Sequence, residues 1–365
     1  MALREVEDPV GVPWARPLAG ALDHLAVESE LLAGNPLGDP ARRPLYVYTS
    51  PGCSPGAATG ASGEIIDGGR RVPSVYVLQG FTGQLDMWHS RNALQPTLVE
   101  RLDAMFAAGE CPDAVVVLVD AWTSRGGSQF LNSVATGRYM DYLCDEVVPF
   151  VDARYPTLAG REHRGLTGKS SGGYGAMVVP MLRPDVFGGL ASHAGDALFE
   201  CCYQPSFPSV ARQLRDHFDG SYEVFRRRLA EVERAGRFDF SRFGKPFEVY
   251  GYASAYSPDP ACAGGVLLPF EVSTGRLVDD VWDLWLERDP VRMAPRYAAA
   301  LGGMRRIHLD AGRSDEWFLD LGAQAFSEQL ERLGVEHSLE LFDGAHGGIG
   351  YRYPGAIREL VIGLG

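Results

Sequence analysis

The sequence is short of positive charge and of long apolar runs, and these two shortages exclude several classes of protein. Its 365 residues include 34 Lys and Arg against 47 Asp and Glu, which gives a formal net charge of −13. Because binding to nucleic-acid phosphates needs a basic face, no nucleic-acid partner is expected. No stretch approaches the roughly 18 consecutive apolar residues of a membrane-spanning helix, so no membrane span is expected either.

The N-terminus lacks an export signal, and the cysteines lack a pattern. Residues 1–20 contain no apolar core of the kind found in a secretory signal peptide, so we expect a cytoplasmic protein. The six cysteines form no C-x-x-C pair and no metal-ligand spacing. This predicts free thiols and no metal site. Whether the chain forms a homo-oligomer is left open by the sequence.

The chain does contain an alternation of short apolar strands with amphipathic helices. Strands are predicted at 44–49, 75–79, 114–120, 164–167, 188–193, 306–310 and 338–342. Helices are predicted at 88–107, 137–155, 173–182, 316–333 and 355–364. The near-continuous apolar strands are typical of a sheet that is buried on both faces. The alternation predicts an α/β fold, with a mostly parallel, doubly wound sheet, in one domain that spans residues 1–365.

Two stretches depart from this alternation. Residues 1–43 are predicted to hold an N-terminal extension and the first strands. Residues 195–297 are irregular, aromatic and proline-rich, with helical pieces at 221–235 and 277–287. Since a structureless connection of that length is rare in a compact domain, we expect an insertion that folds as a lid over the edge of the sheet where ligands bind. A surface subdomain with no role in binding is the alternative.

The segment GLTGKSSGGYGAM, residues 165–177, contains parts of two motifs with different chemistry. A phosphate-binding loop would require a glycine at the position of His163, so this interpretation fails. A nucleophile elbow requires very small residues two positions before and after a serine. Gly168 and Gly172 satisfy that requirement around Ser170, which is therefore the predicted nucleophile.

Ser171 does not satisfy the same requirement, because Lys169 lies two positions before it. Its backbone N–H is instead predicted to lie at the N-terminus of the following helix, where an oxyanion would form. A second oxyanion donor is expected from the loop after the strand that ends at Gln79. There Gly80 lets the backbone turn toward the serine, and the N–H of Phe81 is the predicted donor. An ordinary strand-to-helix turn is the alternative.

A nucleophilic serine needs a base, and the base needs a carboxylate that orients it. In folds of this class both follow the serine along the chain. His346, in a glycine-flanked loop after the last strand, is the predicted base, in preference to His337 at the start of that strand. Asp315, in the loop after strand 306–310, is the predicted acid. Asp310, at the end of the strand itself, is the alternative.

Candidate substrate-binding residues lie on loops that follow strands, where functional residues concentrate. They are Gly80, Trp88, Trp122, Gln129, Asn132 and Lys169. Packing inside the protein is the alternative for each large side chain. Aromatic residues of the insertion are candidates for the roof of a pocket: Tyr203, Phe207, Trp282 and Trp285. For the two tryptophans, the spacing of three also fits a helix face that packs in a core.

In their order along the chain, several segments resemble the putative-esterase (esterase D-like) family of α/β-hydrolases. They are VYVLQGFTG, VVLVDAWTSRGGSQFLNS, GLTGKSSGGYGAM, HLDAGRSDEW and FDGAHGG. Family members include S-formylglutathione hydrolases, enterochelin esterases, feruloyl esterases and mycolyltransferases. The resemblance implies an α/β-hydrolase fold and a serine esterase or thioesterase. It also implies a small-molecule ester substrate, an acyl-enzyme on Ser170 and no cofactor or metal.

The chain departs from the family pattern at two positions near the predicted site. Gln79 replaces a histidine that is usual in relatives, and Lys169 replaces an apolar residue or a histidine. We expect the Lys169 ammonium to face solvent, and selection of an anionic substrate is the alternative. The insertion is unlike the compact S-formylglutathione hydrolases, which argues against that substrate. Two other functions remain open: an acyltransferase with an alcohol acceptor, and a non-catalytic binding protein on a hydrolase scaffold.

Overall fold

An eight-stranded sheet forms the centre of the computed structural model, which describes residues 17–53, 70–91, 94–236, 239–262 and 264–365. Its strands are β1 (Ala21–Glu28), β2 (Arg42–Thr49), β3 (Ser74–Leu78), β4 (Val115–Val119), β5 (Arg164–Lys169), β6 (Gly189–His193), β7 (Arg306–Gly312) and β8 (Ser338–Phe342). They lie in the order β1-β2-β4-β3-β5-β6-β7-β8. Strand β2 is antiparallel to both of its neighbours, and the other pairs are parallel. The predicted α/β class is confirmed.

The middle of the sheet follows directly from the sequence. Every residue of β3, β4 and β6 is buried, because helices cover both faces of a parallel sheet. The edge strand β1 is different, since only Val27 among its residues is buried. It lies within the N-terminal extension 1–43, of which residues 1–16 are outside the described part of the chain.

Helices follow the parallel strands along the chain and cover the sheet. They are Leu98–Ala107, Ser171–Leu182, Leu319–Arg332 and Tyr353–Leu364. A further helical segment runs from Tyr139–Asp141 through the π-helical Tyr142–Val147 into Val148–Asp152. In the described part of the chain, no helix combines the length and the apolar character that crossing a bilayer would require.

The helix predicted at 88–107 is wrong in its first half. A short 3-10 turn covers Leu85–His89, and the α-helix begins only at Leu98. Thr97 defines that start through a capping box with Glu100: each residue's side chain accepts a hydrogen bond from the other's backbone N–H, at 3.1 and 2.8 Å. Residues 92–93 of the predicted helix lie outside the described residues.

The segment 195–297 is mostly helical. Its helices are Phe199–Cys202, Phe207–His217, Tyr222–Ala235, Phe240–Tyr256, Asp279–Leu286 and Pro290–Met293. The two helical pieces expected from the sequence are present with small changes at their ends. The Phe240–Tyr256 helix, called the roof helix below, was not expected. Pro246 in its interior removes a backbone donor, and Gly244 and Gly251 lower its helix propensity.

The insertion packs into the same apolar core as one face of the sheet. Trp285 is fully buried in that core together with Leu190 of β6 and Met177 of the helix after β5. The Trp285 indole N–H donates to Ser257 Oγ at 2.8 Å. Trp282 and Trp285, on the helix Asp279–Leu286, therefore form a face of that helix that packs in the core, as their spacing of three suggested.

We expect Trp285→Ala to lower the free energy of unfolding by about 3–5 kcal/mol, because it leaves a large cavity in a core that insertion and sheet share. Chemical denaturation followed by circular dichroism measures this change. The control is Leu284→Ala on the same helix, where the side chain is 40% exposed; it should cost about 0.5 kcal/mol or less. Equal losses in the two variants would contradict the shared core.

Candidate active site

Ser170 lies at the turn between β5 and the helix Ser171–Leu182, called the elbow helix below. Its φ and ψ are 57° and −127°, a region that residues with a side chain rarely occupy. The Ser170 N–H donates to the carbonyls of His193 and Ala194 at 3.0 and 3.1 Å. These bonds hold the strained turn against the end of β6.

The glycines on each side of Ser170 permit a contact that no other residue would allow. A Cβ at Gly168 would lie 2.5 Å from the carbonyl carbon of Gly172. A Cβ at Gly172 would lie 2.4 Å from the carbonyl oxygen of Leu78, at the end of β3. Either side chain would force the backbone apart. The close packing at Gly168 and Gly172 therefore requires the small residues that were inferred from the sequence.

Two backbone N–H groups near Ser170 have no acceptor among the described residues. Ser171 is the first residue of the elbow helix, so its N–H has no carbonyl one turn earlier in that helix. The N–H of Phe81 likewise has no acceptor among the described residues. Its loop lies against the serine, since a Cβ at Gly80 would be 3.6 Å from Ser170 Cβ. A hydrogen bond of 2.6 Å from the Thr82 N–H to the Gly126 carbonyl pins this loop.

His346 and Asp315 are joined by a hydrogen bond. His346 Nδ1 lies 2.8 Å from Asp315 Oδ2, and Asp315 Oδ1 accepts from the Trp317 N–H at 2.9 Å. The Asp315 side chain is buried, and the His346 ring lies beside the Trp317 ring at 4.7 Å between centroids. Since Nδ1 contacts the carboxylate, Nε2 is the ring nitrogen left to exchange a proton.

Glu316 fixes the backbone of the histidine loop, a role that the sequence did not indicate. Its Oε2 accepts from the His346 N–H at 3.0 Å. This hydrogen bond lowers the pKa of the Glu316 carboxyl. In the described part of the chain, no hydrogen bond joins Ser170 Oγ to His346. The two side chains line the same cavity, and such bonds often tighten only when a substrate is bound.

Asp310, the alternative acid, belongs to a different network. Its Oδ1 lies 2.8 Å from His193 Nδ1, and its Oδ2 accepts from Arg352 Nε at 3.1 Å. Burial opposes ionisation of this carboxyl. The hydrogen bonds from His193 and His308 and the charge of Arg352 nevertheless hold its pKa well below the usual range. Asp310 therefore ties β6 and β7 to the 3-10 turn Ile349–Arg352 rather than orienting His346.

His337, the alternative base, is also occupied elsewhere. Its Nε2 lies 2.6 Å from Ser327 Oγ, and its Nδ1 lies 2.9 Å from the Val335 carbonyl. Both ring nitrogens are thus engaged with the helix and loop before β8. The geometry brings His346 to Asp315 and keeps His337 away from them.

A cavity of about 410 Å³ lies between Ser170 and the roof helix. The predicted site residues that line it are Gly80, Phe81, Trp88, Lys169, Ser170, Tyr203 and His346. The roof helix contributes Phe240, Gly244, Phe247, Glu248 and Tyr252. A larger cavity of about 740 Å³ near Arg91 and Arg358 contains none of the predicted catalytic residues.

The roof helix lies directly on the loop that carries Phe81. A Cβ at Gly251 would be 2.5 Å from the Arg125 carbonyl oxygen and 2.7 Å from the Phe81 ring. Gly126 approaches the same ring equally closely: a Cβ there would be 2.4 Å from it and 2.8 Å from the Phe247 ring. The insertion is thus in direct contact with the predicted oxyanion donor.

Three of the candidate substrate-binding residues do not line this cavity. Gln129 is buried behind its wall, where its amide donates to Asp196 and to the Tyr256 hydroxyl at 3.2 and 2.9 Å. Trp122 contributes its carbonyl to the Arg43 guanidinium rather than its ring to the cavity. The structure thus places these two predicted side chains away from the cavity, because the direction of a loop side chain depends on tertiary packing.

Asn132 is the third residue away from the cavity. It is exposed, and its Oδ1 accepts from the Asp141 N–H at 3.2 Å, at the start of the helical segment after it. Among the insertion aromatics, Phe207, Trp282 and Trp285 are likewise absent from the cavity, because they pack in the core.

Lys169 corrects another expectation. Its side chain lines the cavity instead of facing open solvent, and it makes no hydrogen bond or ion pair among the described residues. Burial lowers the pKa of its ammonium group, and the charges of Asp315, Glu316 and Asp196 act in the opposite direction.

Gln79, at the position where the resemblance implies a histidine, holds the loop after β4. With its amide oriented to satisfy both ends, its nitrogen donates to the Val119 carbonyl at 2.7 Å. Its oxygen accepts from the N–H groups of Ala121 and Trp122 at 2.8 and 2.9 Å. The side chain thus joins the ends of β3 and β4.

Two carboxylates in the cavity were missed by the sequence reasoning. Asp196 follows β6, and Glu248 lies on the roof helix. Asp196 had a usable signal, because the carboxyl ends of neighbouring parallel strands share one edge of the sheet. Glu248 had none, since its helix was not expected. Among the described residues, no three His, Cys, Asp or Glu side chains converge as they would around a metal ion.

Comparisons with known proteins agree with this architecture. The model of a family described as putative esterase matches residues 64–352. A ferulic acid esterase superposes with a TM-score of 0.56 at 16% identity, covering 96% of this chain and 100% of that one. A fluorophosphonate-binding serine hydrolase of Staphylococcus aureus gives 0.54 at 15%, covering 94% and 98%. An S-formylglutathione hydrolase from Agrobacterium tumefaciens gives 0.51 at 14%, covering 96% and 98%. At these identities the likeness shows the α/β-hydrolase fold.

We expect Gly172→Ala to lower esterase turnover about a hundredfold, because the added Cβ would displace the serine turn from the end of β3. Hydrolysis of p-nitrophenyl acetate measures the effect, and a thermal melt reports any loss of folding. Gly302→Ala is the control, since a Cβ there meets nothing within 4 Å. Unchanged turnover in Gly172→Ala would show that the elbow tolerates a side chain at this position.

Proposed function

Because this chain belongs to the putative-esterase family and is a carboxylesterase-type hydrolase, we propose that it cleaves carboxylic esters or thioesters through an acyl-enzyme on Ser170. One observation carries the proposal. A serine held at a strained turn shares a cavity with a histidine whose Nδ1 is bonded to a buried aspartate. This combination is the general arrangement for activating a hydroxyl nucleophile.

The first half of the proposed cycle acylates the enzyme. Ser170 Oγ attacks the ester carbonyl carbon as its proton passes to His346 Nε2. Asp315 keeps the other ring proton on Nδ1 and stabilises the imidazolium that forms. The C–O bond to the alcohol then breaks, and the imidazolium gives its proton to the leaving oxygen. In the second half, water repeats the attack on the acyl-enzyme and releases the acid.

The backbone N–H groups of Phe81 and Ser171 are the proposed oxyanion donors. Neither has an acceptor in the part of the chain that the structure describes; Ser171 follows the serine directly, and Phe81 follows Gly80, whose backbone lies against it, which supports this role. Donors that are fixed before the reaction stabilise the developing negative charge without the cost of reorienting solvent. A donor of this kind typically contributes about 3 kcal/mol to lowering the barrier.

The cavity limits the substrate to a small molecule. Its volume of about 410 Å³ lies in the range of small-molecule sites, and much of its wall comes from the insertion. We propose that residues 195–297 select the substrate by roofing this cavity.

We expect Ser170→Ala to abolish both ester turnover and covalent labelling by a fluorophosphonate probe, because both require the serine hydroxyl. Mass spectrometry of the labelled peptide locates the modified residue. Ser273→Ala, at an exposed position of the insertion, serves as the control and should keep labelling and turnover. Labelling that persists in Ser170→Ala would overturn the nucleophile assignment.

We expect His346→Ala to abolish turnover of p-nitrophenyl acetate, and Asp315→Asn to lower kcat about ten-thousandfold through the wrong imidazole tautomer. Thermal melts should change little in either variant. The matched control is His337→Ala, which should retain turnover. If His337→Ala is inactive, or if Asp315→Asn is fully active, the assignment of base or acid is wrong.

A further inference from the structure

The proposed cycle leaves two carboxylates of the cavity without a task. Asp196 is only 3% exposed, and its Oδ2 accepts from the Tyr203 hydroxyl at 2.7 Å and from Gln129 and Ser171 at 3.2 Å each. Its Oδ1 has no partner among the described residues and is not enclosed by protein, so it faces the cavity. Asp196 Oδ1 is therefore close to the proposed nucleophile, because the other oxygen of the same carboxylate is hydrogen-bonded to Ser171, the residue after Ser170.

Glu248 approaches the same space from the roof helix. Its carboxylate makes no hydrogen bond and no ion pair within the described part of the chain, although the side chain is half-buried and lines the cavity. A largely desolvated carboxylate without a partner is costly. Among the described residues, Asp196 Oδ1 and the Glu248 carboxylate are thus hydrogen-bond acceptors without a donor, and both residues belong to the part of the insertion that lines the cavity.

Aromatic rings also line this cavity. The Tyr252 ring lies 4.6 Å from the Tyr203 ring and 4.9 Å from the Phe81 ring, and Phe247 lies 5.8 Å from Phe81. All four side chains line the cavity. The faces of aromatic rings attract cations, and rings combined with carboxylates are the usual means of holding an alkylammonium group.

Among the described residues, Lys169 is the only lysine or arginine that lines the cavity, against the two carboxyl groups of Asp196 and Glu248. The charge of Asp196 acts on its ammonium group together with those of Asp315 and Glu316, so Lys169 does not offset both cavity carboxyls. The net charge of −13 also favours the approach of a cationic substrate over an anionic one. The charge distribution thus favours a positive group beneath the roof helix.

We propose that the cavity binds an alkylammonium group of its ester substrate, held between Asp196 and Glu248 against the rings of Phe81, Tyr203 and Tyr252. The proposal rests on the proposed function, because it assigns the substrate class of the same site. It names a group that neither the family match nor the solved relatives specify.

The preference for a cation should increase as the pH rises through neutrality. Burial chiefly raises the pKa of Glu248 to about 7, against the charge of Lys245 on the same helix and with a further increase from Asp196. Above that pH the carboxyl is charged and attracts the ammonium group. Lys169 and His346 also face the cavity, and a ratio of rates for two esters cancels any effect that they have on both alike.

The test compares two p-nitrophenyl esters that differ only in charge. One carries a γ-trimethylammonio-butyryl group, and the other is its carbon isostere, with a tert-butyl group in place of the trimethylammonium. We expect the wild type to prefer the cationic ester about tenfold or more in kcat/KM. Glu248→Gln should lower this ratio about tenfold, and Glu231→Gln, at an exposed position of the insertion, should leave it unchanged. A wild-type ratio near one would overturn the proposal.

A binding measurement separates this proposal from the proposed function. Calorimetry with Ser170→Ala protein compares choline with the neutral alcohol in which carbon replaces its nitrogen. Binding of choline alone, weakened in an Asp196→Asn, Ser170→Ala double variant, supports the cation site even if neither ester is hydrolysed. Equal hydrolysis of both esters without choline binding would reject the cation site and leave the esterase intact.

Discussion

The strained turn at Ser170 is the constraint on which the rest of the site depends. Its positive φ is maintained by hydrogen bonds to the carbonyls of His193 and Ala194, and His193 is in turn bonded to Asp310 of β7. The serine turn is therefore connected through two strands to the loop that carries Asp315. In this scheme Asp310 contributes rigidity and Asp315 contributes chemistry, although only five positions separate them.

The insertion provides the second half of the site. Its aromatic residues join the apolar core on one face of the sheet, and its roof helix places Glu248 and Tyr252 over the serine. In the proposed function, the turn and loops at the end of the sheet supply the reacting groups, while the insertion supplies one side of the cavity that a substrate would enter. The proposed chemistry then depends on local backbone geometry, and the proposed selectivity depends on how a long connection packs.

This division explains what the sequence could predict. The apolar runs of β3 and β4 are buried on both faces, so their pattern alone identifies them. The elbow was predictable because the need for glycine around Ser170 is local. The pairing of His346 with Asp315 followed from both lying in loops at one edge of the sheet, although His337 and Asp310 were real alternatives.

The features that the sequence did not predict depend on tertiary packing. Pro246 and Gly251 weaken the helical pattern of the roof helix in the sequence, so this helix was not predicted. Glu248 was therefore not identified as a cavity residue. Trp122 and Gln129 lie on loops of the expected kind, but their side chains turn into the protein. Lys169 turns into the cavity rather than toward solvent. The hydrophobic period and the composition of the sequence do not predict these side-chain directions, because contacts between distant segments determine each of them.

The close contact of Gly251 with the Phe81 ring has a consequence for evolution and engineering. Here the backbone that roofs the cavity lies directly on Phe81, the residue whose N–H is the proposed oxyanion donor. A change of roof would displace Phe81 and Arg125, so substrate range and catalytic power would have to change together in this chain.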